Sequence, residues 1–210
     1  MLVKICGIQT ISHALAATTA GADLIGLVFA PSRRRVTIDI AAAISVAVRS
    51  QPGPIPQIVG LFVNEAAPAI NAVVDAVGLD VIQLSGDEPA ALAQDLARPV
   101  IAALRMDGSP REAGWLTYAA TQLSTFPRLL VDAHVDGAYG GTGTLADWKR
   151  AAVLAAQTPL LLAGGLNPAN VATAIAAVRP AGVDVSSGVE TNGRKDETKI
   201  EAFIAAARMA

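Results

Sequence analysis

Short apolar runs alternate with longer alanine-rich stretches along the whole chain. The runs cover residues 2–5, 24–29, 56–63, 80–84, 99–103, 128–132, 159–163 and 183–186. Each is bounded by turn residues, the pattern of strands buried on both faces. The stretches between them, at 10–20, 37–49, 67–77, 89–96, 111–123, 147–156, 167–178 and 198–208, read as helices, the unit at 111–123 being the least clear. Thr10 or Ser12 can cap the first helix and Gly21 stops it. Pro168 suits the first position of the helix at 167–178. Strand–helix alternation without hairpin signals predicts a parallel α/β sheet. Eight such units in one chain predict a closed (β/α)8 TIM barrel, a single domain over residues 1–210. No Gly-x-Gly-x-x-Gly follows the first strand, which weighs against an open dinucleotide-binding sheet.

Composition narrows the setting. The chain has 210 residues, 52% hydrophobic and only 4% aromatic, so Ala, Val, Leu and Ile carry the core. The formal net charge is -2, so no global basic field draws in nucleic acid or anionic lipid. A single cysteine forms no internal disulfide and fits a reducing compartment. Neither a signal peptide nor an apolar run of membrane-spanning length is visible. These features lead us to expect a cytoplasmic protein with neither a membrane nor a nucleic-acid partner.

In a barrel the ligand sits at the C-terminal ends of the strands. That rule selects Cys6, the 33–35 arginine loop, Asn64, residues 83–86, Arg105, Asp132, the Gly164-Gly165 pair and the Ser187-Gly188 pair. Glycines in the loops after strands seven and eight let backbone N–H groups approach an anion, and a helix opening at Asn167 would add a favourable dipole. The same glycines can also serve only as tight turns. Asp132, at a buried strand end, is a candidate general acid, or else a cap for its own loop. A glycine-rich loop at 137–143 stands beside it, suited to close over a ligand. Cys6 reads as core filler or as a thiolate. A thiolate there needs a field that lowers its pKa, and the arginine loop or helix N-termini on that rim can supply one. No metal-spaced set of Cys and His accompanies it. His13 and His134 read as surface residues, His134 lying near Asp132.

Taken together, the motifs resemble the phosphoribosylanthranilate isomerase family of tryptophan biosynthesis. Lys4-Ile5-Cys6-Gly7-Ile8 is similar to its opening motif. Gly26-Leu27-Val28-Phe29, Ser32-Arg33-Arg34-Arg35-Val36-Thr37, Val59-Gly60-Leu61-Phe62-Val63-Asn64, Gln83-Leu84 and Leu130-Val131-Asp132 follow in the family's order. So do Gly140-Gly141-Thr142-Gly143, Leu162-Ala163-Gly164-Gly165-Leu166-Asn167-Pro168 and Val183-Asp184-Val185-Ser186-Ser187-Gly188-Val189-Glu190. The resemblance covers essentially the whole chain.

It implies an Amadori rearrangement of N-(5-phosphoribosyl)anthranilate with no cofactor and no metal. Asp132 matches the family's general acid, which protonates the ribose ring oxygen. Cys6 matches the general base, which takes the C2 proton of the Schiff base. The family's carboxylate-binding arginine aligns with Arg34, or with Arg35 because the loop is about one residue shorter than usual. Phosphate falls to backbone groups around Gly164, Gly165, Ser187 and Gly188, and Asp184 lies near the reacting nitrogen. The implied partner is a small phosphorylated substrate, and the chain is expected to be a monomer or homodimer.

Three positions depart from the family. Ser85 replaces its histidine after Gln83-Leu84, Ala102 stands where a lysine is common, and Arg33 takes a proline's place. Two other readings stay open. A bifunctional relative acting also on the histidine-pathway aminoaldose would use an aspartate at the end of strand one, where Cys6 stands. A barrel that only binds a phosphorylated ligand would need neither Cys6 nor Asp132.

Overall fold

The computed structural model describes residues 1–122, 125–132 and 148–210. In it the eight apolar runs form parallel strands that close into a barrel in chain order. The alternating elements are β1 (Leu2–Cys6), α1 (Ile11–Thr19), β2 (Leu24–Val28), α2 (Ile38–Arg49), β3 (Gln57–Phe62), α3 (Ala67–Val77) and β4 (Val81–Leu84). They continue with β5 (Val100–Leu104), α4 (Pro110–Thr121), β6 (Leu129–Val131), α5 (Trp148–Ala155), β7 (Leu160–Leu162), α6 (Val171–Val178) and β8 (Gly182–Val185). A two-stranded ribbon, β9 (Glu190–Thr191) and β10 (Arg194–Lys195), precedes α7 (Glu197–Arg208). Among the described residues no helix is long and apolar enough to cross a membrane.

The continuous apolar strands follow from burial on both faces. One set of side chains, including Ile5, Leu27, Ile82 and Val183, packs outward against the helices. The alternate set, including Leu24, Val59, Val81, Ile101, Leu130 and Leu161, fills the lower barrel interior. Each such side chain fully removed from water contributes on the order of 1.5–3 kcal/mol. Above this plug the interior turns polar, with Lys4, Gln83 and Asp184 all buried.

The ring closes where β1 meets β8, with Lys4 directly opposite Asp184. On the other side of β1, Cys6 is paired with Gly26. A Cβ on Gly26 would stand 2.9 Å from the Cys6 sulfur and 3.2 Å from the Lys4 ammonium. The glycine in this otherwise branched strand is thus the space into which two interior side chains pack.

Three details differ from the expected pattern. The helix expected at 89–96 is a six-residue 3-10 segment, Ala90–Asp95, with no fully buried residue. Asn71 fixes its end by donating to the Asp95 carbonyl at 2.8 Å and accepting from the Ala97 amide at 2.9 Å. With no buried stripe to reward a longer helix, the tighter turn suffices. The helix expected from residue 167 opens only at Val171. Before it, Asn170 accepts from the Asn167 amide and Asn167 from the Ala169 amide, so side chains take over the backbone groups of that turn. Pro168 therefore lies in the turn and not at the first helical position. Finally, the chain does contain a hairpin, whose turn is Asn192-Gly193 with φ of 51° and 78°. Asn-Gly is a strong hairpin signal, but the flanking strands are only two residues long and leave no alternating pattern in the sequence.

Filling the space over Gly26 tests this packing. Gly26→Ala is expected to lower stability by about 1–3 kcal/mol in denaturant unfolding, the usual cost of overpacking. Unchanged stability would mean that Lys4 and Cys6 are not held against β2.

Candidate active site

Four of the eight expected site residues share one cavity at the C-terminal mouth of the barrel. It measures about 270 Å³ and is lined by Cys6, Arg34, Asp132 and Asp184, with Gln83, Ser85, Arg105 and Ser186 among the others. A recess of about 30 Å³ adjoins it, sharing Asp132, Asp184 and Ser186 and adding Gly164, Gly165 and Ser187. Gly164 and Gly165 both have positive φ, 85° and 67°. Gly188 lines neither space. It is a packing position, where any side chain would run into the Leu166 carbonyl.

Arg34 and Arg35 go to different places. The tight turn after β2, in which the Arg35 amide bonds the Ser32 carbonyl, buries Arg34 and leaves Arg35 exposed. Arg34 runs over Gly7 into the cavity, whereas Arg35 lines a separate groove with Phe62 and Ile38. Glu190 holds the Arg34 guanidinium by two bonds, Nε to Oε1 at 2.6 Å and Nη2 to Oε2 at 3.2 Å. Arg33 donates to the same carboxylate at 2.5 Å and Lys195 at 3.0 Å. Burial alone would raise the Glu190 pKa, but the bonds and charges of Arg34 and Lys195 pull it down to about 2. Glu190 is therefore anionic across the physiological range.

Cys6 is buried, and its surroundings set its ionisation. Burial pushes the thiol up, Lys4 pulls it down, Asp184 pushes it up and Lys195 pulls it down, for a net rise. The leading cations acting on Cys6 are thus two buried lysines, ahead of the arginine loop or helix ends expected from the sequence. Lys4 is fully buried and its Nζ lies 2.7 Å from Asp184 Oδ1. Burial opposes its charge, yet Asp184 and Cys6 more than offset this and hold its pKa above the ordinary lysine value. Lys195 donates to the Ser186 carbonyl at 2.7 Å and to Glu190. Burial brings its pKa down, partly countered by Glu190.

Asp132 follows β6, half-buried, with its amide bonded to the Leu104 carbonyl at 3.2 Å. The glycine-rich loop at 137–143 and His134 lie outside the described residues. Gln83 is buried and donates to Ser85 Oγ at 3.0 Å, while its amide oxygen has no partner among the described residues. Ser85 takes up a cavity position in place of the family's histidine. Asn64, also on the sequence shortlist, instead braces the next loop: its amide donates to Glu88 at 2.5 Å and its side chain accepts from the Asp87 amide at 2.6 Å. Among the described residues no group of three or more His, Cys, Asp or Glu side chains is placed to hold a metal ion.

Lys4, Glu190 and Lys195 carry no role in the sequence reading. Lys4 was findable, since residues two apart on a strand share a face and Lys4 shares that of Cys6. Glu190 and Lys195 come together only through the short ribbon.

The model of the family described as N-(5'phosphoribosyl)anthranilate (PRA) isomerase matches residues 3–206. An N-(5'-phosphoribosyl)anthranilate isomerase of Roseiflexus sp. is 58% identical over 99% of this chain and 98% of its own length. One from Pseudomonas fluorescens is 46% identical over 98% of this chain and 97% of its own. The crystal structure of phosphoribosyl anthranilate isomerase from Thermotoga maritima superposes with a TM-score of 0.85 at 37% identity, covering all of both chains. A second solved structure, of a phosphoribosyl anthranilate isomerase in complex with reduced 1-(o-carboxyphenylamino)-1-deoxyribulose 5-phosphate, has a TM-score of 0.81 at 38% identity over the whole of both chains. The chain belongs to the N-(5'-phosphoribosyl)anthranilate isomerase family.

Proposed function

We propose that this chain isomerises N-(5-phosphoribosyl)anthranilate to 1-(2-carboxyphenylamino)-1-deoxyribulose 5-phosphate, a step of tryptophan biosynthesis, by general acid–base catalysis. The observation that carries the reading is that Cys6 and Asp132, from opposite parts of the chain, line one cavity. Asp132 donates a proton to the ribose ring oxygen as the C1–O bond breaks, and the nitrogen lone pair forms the Schiff base. The Cys6 thiolate then takes the proton from C2. The C2–H electrons become the C1–C2 double bond, the C=N pair returns to nitrogen, and an enol amine results. Tautomerisation of its enol gives the ketone, so atoms and charge balance without a redox partner.

The remaining residues fix the substrate between acid and base. Glu190 occupies the Nε and Nη2 edge of Arg34, which leaves the Nη1 end for the anthranilate carboxylate. Arg35 faces another groove, so Arg34 is the better candidate. Backbone amides of Gly164, Gly165 and Ser187 around the small recess suit the phosphate, with Gly188 allowing their loop to approach Leu166. Asp184, on the walls of both spaces, suits the ligand's N–H. The net charge of -2 and the single buried cysteine support a cytoplasmic enzyme whose partner is this small molecule and not nucleic acid. We take residues 1–210 as one catalytic barrel, acting as monomer or homodimer. A thiol at the end of β1 favours this substrate over the histidine-pathway aminoaldose.

Fluorescence-monitored consumption of phosphoribosylanthranilate tests the roles. Cys6→Ser and Asp132→Asn are each expected to lower kcat by at least about 100-fold, the range of a lost general base or acid. Near-normal rates in both would overturn the acid–base roles of Cys6 and Asp132, whereas no turnover in the unsubstituted chain would leave a binding barrel without this chemistry. Arg34→Ala is expected to raise KM more than Arg35→Ala does. The reverse order would assign the carboxylate to Arg35.

A further inference from the structure

The mechanism leaves a fully buried charge beside the thiol unused. Lys4 is completely buried inside the barrel, one strand pitch below the thiol and on the same face of β1. A lysine is costly to bury, and an ion pair with Asp184 alone at best breaks even against an apolar pair. Its position does more than fill space. The Lys4 ammonium and the Cys6 sulfur converge on the same point above Gly26, 3.2 Å and 2.9 Å from it. Asp184 pins the ammonium there from across the seam between β1 and β8.

We propose that Lys4 is a positioning residue for the catalytic base: anchored on Asp184, its ammonium is the counter-ion that holds the Cys6 thiolate inside the barrel. Lys4 keeps its own proton throughout and acts by charge alone, while the C2 proton goes to sulfur. The other charged groups around the thiol are accounted for. Asp184 on β8 opposes the thiolate, and Lys195 on β10 favours it but is shared with Glu190. Arg34, Arg105 and Asp132 stand on the cavity wall, Arg34 engaged by Glu190. Lys4 is therefore the cation best able to act on the sulfur. A further consequence concerns the ligand. When a substrate N–H donates to Asp184, that carboxylate's charge is partly drawn from Lys4, and more of the ammonium's field falls on Cys6. Substrate binding and ionisation of the base are then coupled.

The catalytic part of this inference rests on the isomerase reading, but its test does not. Cys6 is the only cysteine, so thiolate absorbance near 240 nm in the ligand-free full chain, with Cys6→Ser as blank, reads one group. Lys4→Gln keeps a donor for Asp184 and removes the charge. It is expected to raise the thiol midpoint by at least about one pH unit. In the isomerase assay kcat should fall at least about tenfold at neutral pH, with KM within about twofold, and recover as pH is raised. An unmoved midpoint in a folded variant overturns the proposal. If Lys4→Gln does not fold, Asp184→Asn serves: it leaves an amide oxygen for Lys4, removes the opposing charge and is expected to lower the midpoint. A midpoint that stays or rises overturns the proposal equally. Absence of turnover in the wild type would instead strike the isomerase reading and leave the titration result standing.

Discussion

The Lys4–Asp184 ion pair is the constraint on which the rest of the structure turns. It lies where the first and last strands of the barrel meet, 180 positions apart in sequence. Slipping this pairing by one residue would turn one of the two side chains out of the barrel interior, toward the helices, and leave the other inside. Two buried charges would then be separated, at a cost of several kcal/mol. The pair thus penalises alternative closures far more than it stabilises the correct one. Because Cys6 lies one interior position further along β1, the interaction that fixes the seam also fixes a cation beside the thiol.

A second chain of charges organises the rim. Glu190 receives Arg34, Arg33 and Lys195, and Lys199 bonds its carbonyl at 2.8 Å. The carboxylate stays ionised because these cations outweigh its burial. Its effect is to hold Arg34 by one edge, removing rotameric freedom before a ligand arrives. Lys195 ties the same cluster to the Ser186 carbonyl, at the junction of cavity and recess. The two ends of the proposed substrate site are therefore mechanically connected through a ribbon of four paired residues.

The parts of this fold most legible in the sequence are those set by local pattern. Eight apolar runs and the rim positions of Cys6, Asp132, Gly164, Gly165 and Ser187 followed from periodicity and the barrel rule, Arg34 and Asp184 from the family resemblance, and all seven line the mouth. What periodicity could not convey was competition at element ends. Asn167 and Asn170 delay α6 by claiming backbone groups, and Asn71 cuts the 3-10 segment short. Long-range pairing was equally hidden. Nothing near Lys4 in the sequence names Asp184 as its partner, and nothing near Arg34 names Glu190. The leading source of the field on Cys6 is hidden for that reason: the nearby arginine loop is conspicuous, while the lysines are dispersed at positions 4 and 195.

The proposed acid and the proposed base sit in opposite environments, and the proposed reaction needs that asymmetry. Asp132 is half-buried at the mouth, open to solvent protons, as suits a group that gives a proton to a leaving oxygen. Cys6 is buried and its thiol is held protonated more firmly than in water. A thiolate formed there is poorly solvated and hence strongly basic toward carbon, the character needed to remove a C–H proton. An exposed thiolate with a depressed pKa would be more abundant but weaker as a base. The lysine counter-ions make the buried thiolate attainable without surrendering that basicity, and Asp184 limits how far Lys4 does so in the empty site. The balance of three buried charges around one sulfur, rather than the cysteine alone, is what suits this barrel mouth to proton transfer at carbon.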